Sequence, residues 1–431
     1  DRSSIRLGRN FSQGQSHFST HLILRLSGMM AEKKKSYFDF FQQMDGKSIS
    51  RLIDQTTSYD VERALHRKGT GELSDFAALI SPLAAERFIE PMAILSNRLT
   101  EQRFGRVVRM FAPLYLSNEC TNICDYCGFS LGNRLARKTL SMAETLQEGG
   151  ILKRHGFDHV LLVTGESAKQ VDLNYLLSNL QTLRPYFSNL SLEVQPLDQE
   201  DYEELIRFGL HGVFVYQETY DPISYAKHHL KGRKKNFKWR LETPDRLGKA
   251  GVNKIGLGCL YGLTKDWRTD AYFAAHHLRY LEKTYWKTSY SMSFPRLRPC
   301  EGEIDPVVSL NDREMVQLLC AFRIFSHELE ISISTREKPE FRENLLPLGV
   351  TNMSAGSKTN PGGYGTEEGT LEQFEVSDQR SPNEICEMLR RKGYDPVWKD
   401  WDSSYDRSKS ENEKSESHIL VEMENLEGVN A

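Results

Sequence analysis

The chain has 431 residues, and its 56 basic and 59 acidic side chains leave a formal net charge of −3. With 39% hydrophobic and 27% charged residues, it suits one large α/β barrel or two to three smaller domains; a disordered chain, a fibrous repeat and a disulfide-stapled mini-protein are excluded. Balanced charge argues against a dedicated nucleic-acid or membrane-surface binder, and no run approaches the roughly 18 apolar residues of a membrane span.

Residues 2–28 carry Arg2, Arg6, Arg9 and Arg25, many serines and no acid, which matches a transit peptide; Met30 followed by Ala-Glu-Lys-Lys-Lys reads as a natural start. Residues 1–36 are therefore expected to be a leader or an artefact, without folded structure. Residues 37–105 are expected to form an N-terminal helical extension. In it Asp60 caps a short helix that Gly69 closes, and Phe88, Met92, Leu95 and Leu99 share an apolar face.

From residue 106 the pattern changes to short apolar runs alternating with amphipathic stretches. The runs are VVRMFAPLYLS (107–117), HVLLVTGE (159–166), LSLEVQPL (190–197), GVFVYQETY (212–220), KIGLGCLYG (254–262), SYSMSFPRLRP (289–299), LEISISTRE (329–337) and GVTNMSAGS (349–357). Eight strands with helical crossovers predict a TIM-type (β/α)₈ barrel over 106–357, whose chemistry sits at the C-terminal ends of the strands. Those ends carry Cys120, Glu166, Gln195, Glu218, Gly258, Arg298, Arg336 and Ser354. Residues 358–401, with a Pro-Gly-Gly turn, a helix from about Pro382 to Lys392, and Trp398 and Trp401, are expected to cap one end of the barrel. Residues 402–431 read as a disordered polar tail.

Seven cysteines is an odd number, and three of them, Cys120, Cys124 and Cys127, fall within eight positions. That clustering fits metal or cluster ligation in a reducing compartment better than disulfides. Three thiolates on one loop can hold three irons of a [4Fe–4S] cube and leave the fourth open to a ligand. The competing reading is a zinc site completed by Cys259, Cys300 or a histidine, and no second Cys-x₂-Cys pair supports it. His228, His229, His276 and His277 form adjacent pairs rather than the i,i+4 spacing of a helical metal site, and read as hydrogen-bonding residues. The basic run KGRKK (231–235) reads as a solvated loop, with docking of an acidic electron donor as the alternative.

The Cys-x₃-Cys-x₂-Cys motif with Tyr126 before its third cysteine resembles the signature of the radical S-adenosylmethionine (SAM) superfamily. The stretches LYLSNECTNICDYCGFS, LLVTGE, EVQPL, VYQETYDPISYAKHHLKGRKKNFKWRLETPDRLGKAG, KIGLG, SFPRLRPC, FRIFSHELEISISTRE, SKTNPGGY and PVWKDWD resemble the tyrosine lyases of thiamine thiazole synthesis, the 2-iminoacetate synthase (ThiH) family, over about residues 37–402. The resemblance implies that Cys120, Cys124 and Cys127 ligate a [4Fe–4S] cluster whose open iron takes the amine and carboxylate of SAM. It also places Tyr126 near the adenine, Gly165 and Glu166 at the methionyl amine, and Glu218 and Arg240 at the amine and carboxylate of SAM. Gly256 and Gly258 are expected to let a strand approach the adenine. For the amino-acid substrate the best match is Arg336 as a carboxylate clamp, with Ser354 and Tyr115 beside it; the competing reading of Arg336 is a surface ion pair with Glu337 or Glu340.

The implied reaction is reductive cleavage of SAM to methionine and a 5′-deoxyadenosyl radical. Hydrogen-atom abstraction from the amine or phenol of L-tyrosine follows, and then Cα–Cβ cleavage to 4-methylphenol and 2-iminoacetate. The implied partners are the thiazole synthase ThiG and an electron donor of flavodoxin or ferredoxin type, with no nucleic acid and no membrane. The implied location is the cytoplasm, or an organelle if residues 1–28 are a transit segment. Alternatives are a tryptophan lyase on the same scaffold, the hydrogenase maturase HydG, and a non-catalytic iron–sulfur or zinc scaffold. HydG carries a second cluster on a C-terminal Cys-x₂-Cys extension, whereas here only Cys386 lies in the C-terminal part.

Overall fold

The computed structural model describes residues 35–68, 71–298, 305–365 and 372–399. Most of the expected leader, Gly69, Cys300, Trp401 and the polar tail lie outside the described residues.

Each of the eight apolar runs forms a strand: β1 (Val107–Ser117), β2 (His159–Thr164), β3 (Asn189–Glu193), β4 (Leu210–Phe214), β5 (Lys254–Gly258), β6 (Ser289–Ser293), β7 (Glu330–Ile333) and β8 (Asn352–Ser354). All pair in parallel in chain order, and β8 closes onto β1 through Arg109↔Asn352, Met110↔Met353 and Phe111↔Ser354. Strands covered by helices outside and side chains inside are buried on both faces, which is why HVLLVT reads as an unbroken apolar run. The strands stop short of the polar ends of several runs, which turn over the barrel mouth as loops. Among the described residues no helix is long and apolar enough to cross a membrane.

Alternation along the strands decides what enters the barrel. Phe111, Pro113 and Tyr115 of β1, Leu161 and Val163 of β2, and Glu193 of β3 line its interior. The floor is charged: Lys254 Nζ lies 2.9 Å and Asn352 Nδ2 3.1 Å from Glu330 Oε2, and Arg109 pairs with the other oxygen.

Among the described residues, six helices come before the barrel, ending with Ile89–Phe104. The helix Ser58–Arg67 is capped by Thr57, whose hydroxyl accepts from the Asp60 N–H; Asp60 is the third helical residue, and its carboxylate completes the capping box, so the expected cap is displaced by three residues. Met92 and Leu99 are buried, and Phe88 and Leu95 pack half-buried beside them. The extension lies against the helices Trp267–Thr284 and Asp312–Phe325: Tyr37 stacks on His277 at 3.7 Å, and Phe76 meets Phe322 edge-on at 4.8 Å.

The segment after β8 serves both ends of the barrel rather than one. Residues 372–374 cross the mouth, while β9 (Asp395–Val397) pairs in parallel with Val107–Arg109 at the start of β1. Between them the fully buried Arg342–Asp378 ion pair fastens the segment, and Arg342 also donates to the Ser354 carbonyl.

Candidate active site

The loop between β1 and the helix Met142–Arg154 carries the three cysteines, and its own side chains set its shape. Arg137 donates to the carbonyls of Asn118 (2.6 Å), Phe129 (2.8 Å) and Ser130 (2.7 Å). The Ser130 hydroxyl accepts from the Cys124 N–H at 3.2 Å. Ile123 and Cys124 form an antiparallel ribbon with His229–Lys231. Both histidines of that pair serve this loop. His228 Nδ1 faces the Asp125 carboxylate at 3.0 Å, and Tyr126 Oη lies 2.7 Å from His229 Nε2. Burial holds His229 neutral, with its pKa lowered to about 2; since Nδ1 faces the Tyr225 carbonyl it carries the proton, and Nε2 accepts from Tyr126.

Gly165, just past β2, is where the loop meets the barrel. Its N–H donates to the Ser117 carbonyl, and a Cβ there would sit 2.3 Å from the Glu119 carbonyl oxygen, so only glycine allows the contact. Glu166 follows. Its carbonyl accepts from Thr121, while its buried carboxylate takes Asn122 Nδ2 and Arg240 Nη1, both at 2.8 Å. Burial alone would raise this carboxyl, but the Arg240 and Lys234 charges hold it below its ordinary range.

Glu218 adopts φ 70°, a left-handed conformation rare outside glycine. Its carbonyl is held by the Leu260 N–H, and Asp270 accepts from the next two residues, Thr219 Oγ1 (3.1 Å) and Tyr220 N–H (2.8 Å). That strain aims the carboxylate at Lys234 Nζ, 2.8 Å away, and Arg240 Nη2, 3.6 Å away. Lys234 was expected in a solvated loop. Its side chain is instead only 13% exposed and lies over the Tyr126 ring, while its neighbours Arg233 and Lys235 are exposed. The signal that could have found it is its spacing within the quoted motif, since composition alone marks the run as surface.

Cys120, Cys124 and Cys127, Glu166, Glu218 and Arg240, and Tyr115, Ser354 and Arg336 all line one cavity of about 1600 Å³, including its part open to solvent. Tyr115 donates to Gln373 Oε1 at 2.7 Å, and Ser354 Oγ accepts from the Thr335 N–H at 3.2 Å. Arg336 makes no ion pair with Glu337, which is taken by Arg296 and Arg298; its guanidinium rests on the Phe374 ring at 3.3 Å. Four of the residues singled out in the sequence do not line this cavity. The space beside Gly256 and Gly258 is filled by the rings of Phe214 and Tyr216, so neither glycine opens onto the cavity. Tyr126 lies behind the cavity wall against Leu260 and Leu263. Gln195 is turned away, donating to the Val171 carbonyl at 2.6 Å, and Glu193 supplies the carboxylate from β3.

The donor set fits a cluster. The Gln373 amide lies 3.8 Å from Cys127 Sγ, and the Phe129 N–H is aimed at the same sulfur. Burial pushes the Cys124 and Cys127 thiols up, and Lys234 pulls both back toward thiolate. Cys259, proposed as a fourth zinc ligand, is buried in the barrel's hydrophobic core and does not line the cavity.

Two family models match the chain: the Radical SAM superfamily over residues 114–274 and the Biotin and Thiamin Synthesis associated domain over 293–395. The 2-iminoacetate synthase of Escherichia coli (strain K12) is 50% identical over 374 residues, 87% of this chain and 99% of that protein. The chain belongs to the 2-iminoacetate synthase family. The Salmonella typhimurium 2-iminoacetate synthase is likewise 50% identical, over 86% of this chain and 97% of its own. Among solved structures, the FeFe-hydrogenase maturase HydG from Carboxydothermus hydrogenoformans is 29% identical with a TM-score of 0.71, over 89% of this chain and 86% of that one. As a radical SAM member of the 2-iminoacetate synthase family, the protein works with a [4Fe–4S] cluster and SAM.

Proposed function

We propose that the protein is a tyrosine lyase, cleaving the Cα–Cβ bond of L-tyrosine to 2-iminoacetate and 4-methylphenol for the thiazole of thiamine. The observation that carries this reading is that the cysteine loop and Arg336, an arginine without a carboxylate partner among the described residues, face one cavity inside the barrel. Cys120, Cys124 and Cys127 hold the cluster, and Glu166, Glu218, Lys234 and Arg240 hold the amino-acid end of SAM. When bound, these groups supply an electron and a carbon-centred radical that takes a hydrogen atom.

The chain's own residues orient and seal. Arg336 offers a planar fork to the carboxylate of tyrosine, its stem and plane fixed by Phe374. Tyr115 and Ser354 flank it, and residues 372–374 roof the cavity against water. ThiG receives the short-lived product. A donor of flavodoxin or ferredoxin type meets the exposed cations Lys231, Arg233 and Lys235, one ribbon strand from Cys124, and their charge attracts an acidic carrier. The setting is the cytoplasm, or an organelle if residues 1–28 act as a transit segment.

The test is anaerobic reconstitution with iron and sulfide, then incubation with dithionite, SAM and tyrosine, read by mass spectrometry. 4-Methylphenol with 5′-deoxyadenosine is the expected result. 5′-Deoxyadenosine without 4-methylphenol would keep the radical chemistry and remove tyrosine as substrate.

A further inference from the structure

Among the described residues, four carboxylates and four Lys or Arg side chains line the cavity. Three pairs cancel: Glu166 with Arg240, Glu218 with Lys234, and Glu330 with Lys254. Glu193 and Arg336 are left over. They project from β3 and from the loop after β7, and among the described residues neither makes a hydrogen bond or ion pair through its charged group; Arg336 rests on the Phe374 ring. Glu193 stands in register with Val163 of β2, itself in register with Tyr115 of β1, so a row across three strands leads from the cysteine side of the mouth to this carboxyl.

A carboxylate and a guanidinium half-buried in the cavity wall, each without a direct partner among the described residues, are costly in the empty protein and become favourable when a ligand brings the opposite charges. An α-amino acid carries both charges on one carbon. We propose that Glu193 receives the α-ammonium of the aromatic amino-acid substrate, so that Glu193 and Arg336 together read the zwitterion. The assignment rests on the tyrosine reading above and extends it by naming the group that selects for a free amine.

The electrostatics agree. Burial, opposed by Arg336, Lys234 and Arg240 and aided by Glu218, raises the Glu193 pKa to about 7. The hydroxyls of Tyr115 and Tyr216 also feel its charge. A carboxyl so balanced ionises when a cation arrives, and it rejects aromatic acids that bring a carboxylate but no amine. Such acids satisfy Arg336 and leave Glu193 covered by the ligand without a partner.

The experiment uses the reconstituted holoenzyme and Glu193→Gln. It measures the KM for tyrosine in 4-methylphenol formation, and the Ki of 3-(4-hydroxyphenyl)propanoate, which is tyrosine without its amine. Tyrosine-independent 5′-deoxyadenosine formation scores cofactor loading in each sample. The expected result is a rise of about ten-fold or more in the ratio of tyrosine KM to propanoate Ki, the size of one lost charge-assisted hydrogen bond. An unchanged ratio would overturn the proposal, as would a parallel rise of KM and Ki, which places Glu193 at the phenol end. Glu193→Asp, which keeps the charge on a shorter stem, serves if the glutamine variant does not fold; its ratio should rise by a smaller factor, and no rise would again refute the assignment. Failure of the wild-type enzyme to form 4-methylphenol refutes the tyrosine reading itself, and this outcome is visible before any variant is compared.

Discussion

Arg240 and Glu166 meet at 2.8 Å across the barrel mouth, and the same guanidinium donates from Nε to the Tyr216 carbonyl at 2.6 Å. One side chain thus ties the end of β2 to the end of β4. Since Glu166 also holds Asn122 and Thr121, the ion pair is continuous with the cysteine loop. The geometry of the three thiols therefore depends on residues far from them in sequence.

Cys124 is the middle cysteine on that loop and lines the cavity. Cys124→Ala should abolish SAM cleavage and lower the iron bound per chain after reconstitution. Full 5′-deoxyadenosine formation by this variant would remove Cys124 from the cluster.

Gly165→Ala tests the contact between loop and barrel. The added Cβ would press on backbone, the Glu119 carbonyl oxygen at 2.3 Å, which no side-chain rotation relieves. The expected outcome is loss of iron and a fall in SAM cleavage of at least ~10-fold, with circular dichroism unchanged because the barrel core is untouched. Iron binding at the wild-type level would show that the loop yields easily.

Arg336→Lys keeps a charge but loses the fork and its stacking on Phe374. Loss of a bidentate charged contact is worth about 1.5–3 kcal/mol, so the tyrosine KM should rise by roughly 10- to 100-fold. Cofactor-dependent absorbance should stay as in the wild type. An unchanged KM and turnover would exclude Arg336 from the site.

The barrel floor should leave a mark on stability against pH. Burial alone would raise Glu330, yet Lys254 and Arg109 hold its pKa at about 2, against about 4.3 when unfolded. Its folded pKa is depressed, so its contribution is fully present above about pH 4.3 and is lost as pH falls toward 2. Glu330→Gln should therefore flatten this acid limb in denaturant titrations, besides lowering stability at pH 7 by leaving Lys254 and Arg109 without their carboxylate. An identical acid limb in the variant would show that the floor does not govern it.

How much of this was legible beforehand depended on the reach of each interaction. The eight strands follow from runs such as HVLLVT, because burial on both faces writes itself into local composition. Three cysteines on one loop announce ligation, because their spacing along the chain is the spacing of the site. Arg336 and Ser354 stand out in the sequence because they follow or end barrel strands, where the fold collects its polar groups.

Other features are set by neighbours that are distant in sequence. Lys234 looks solvated in KGRKK until Glu218, strained at φ 70°, turns a carboxylate toward it. Gly256 looks like room for a ligand until Phe214 occupies the space. Glu193 is one acid among 59 in the chain, and it stands out only once every other carboxylate in the cavity has found its cation. The sequence by itself determined the barrel, its eight strands and the cysteine loop, because local hydrophobicity and spacing carry those. Only the tertiary structure decided which charges cancel and which remain, because pairing in a buried cavity depends on which side chains the closed barrel brings within a few ångströms.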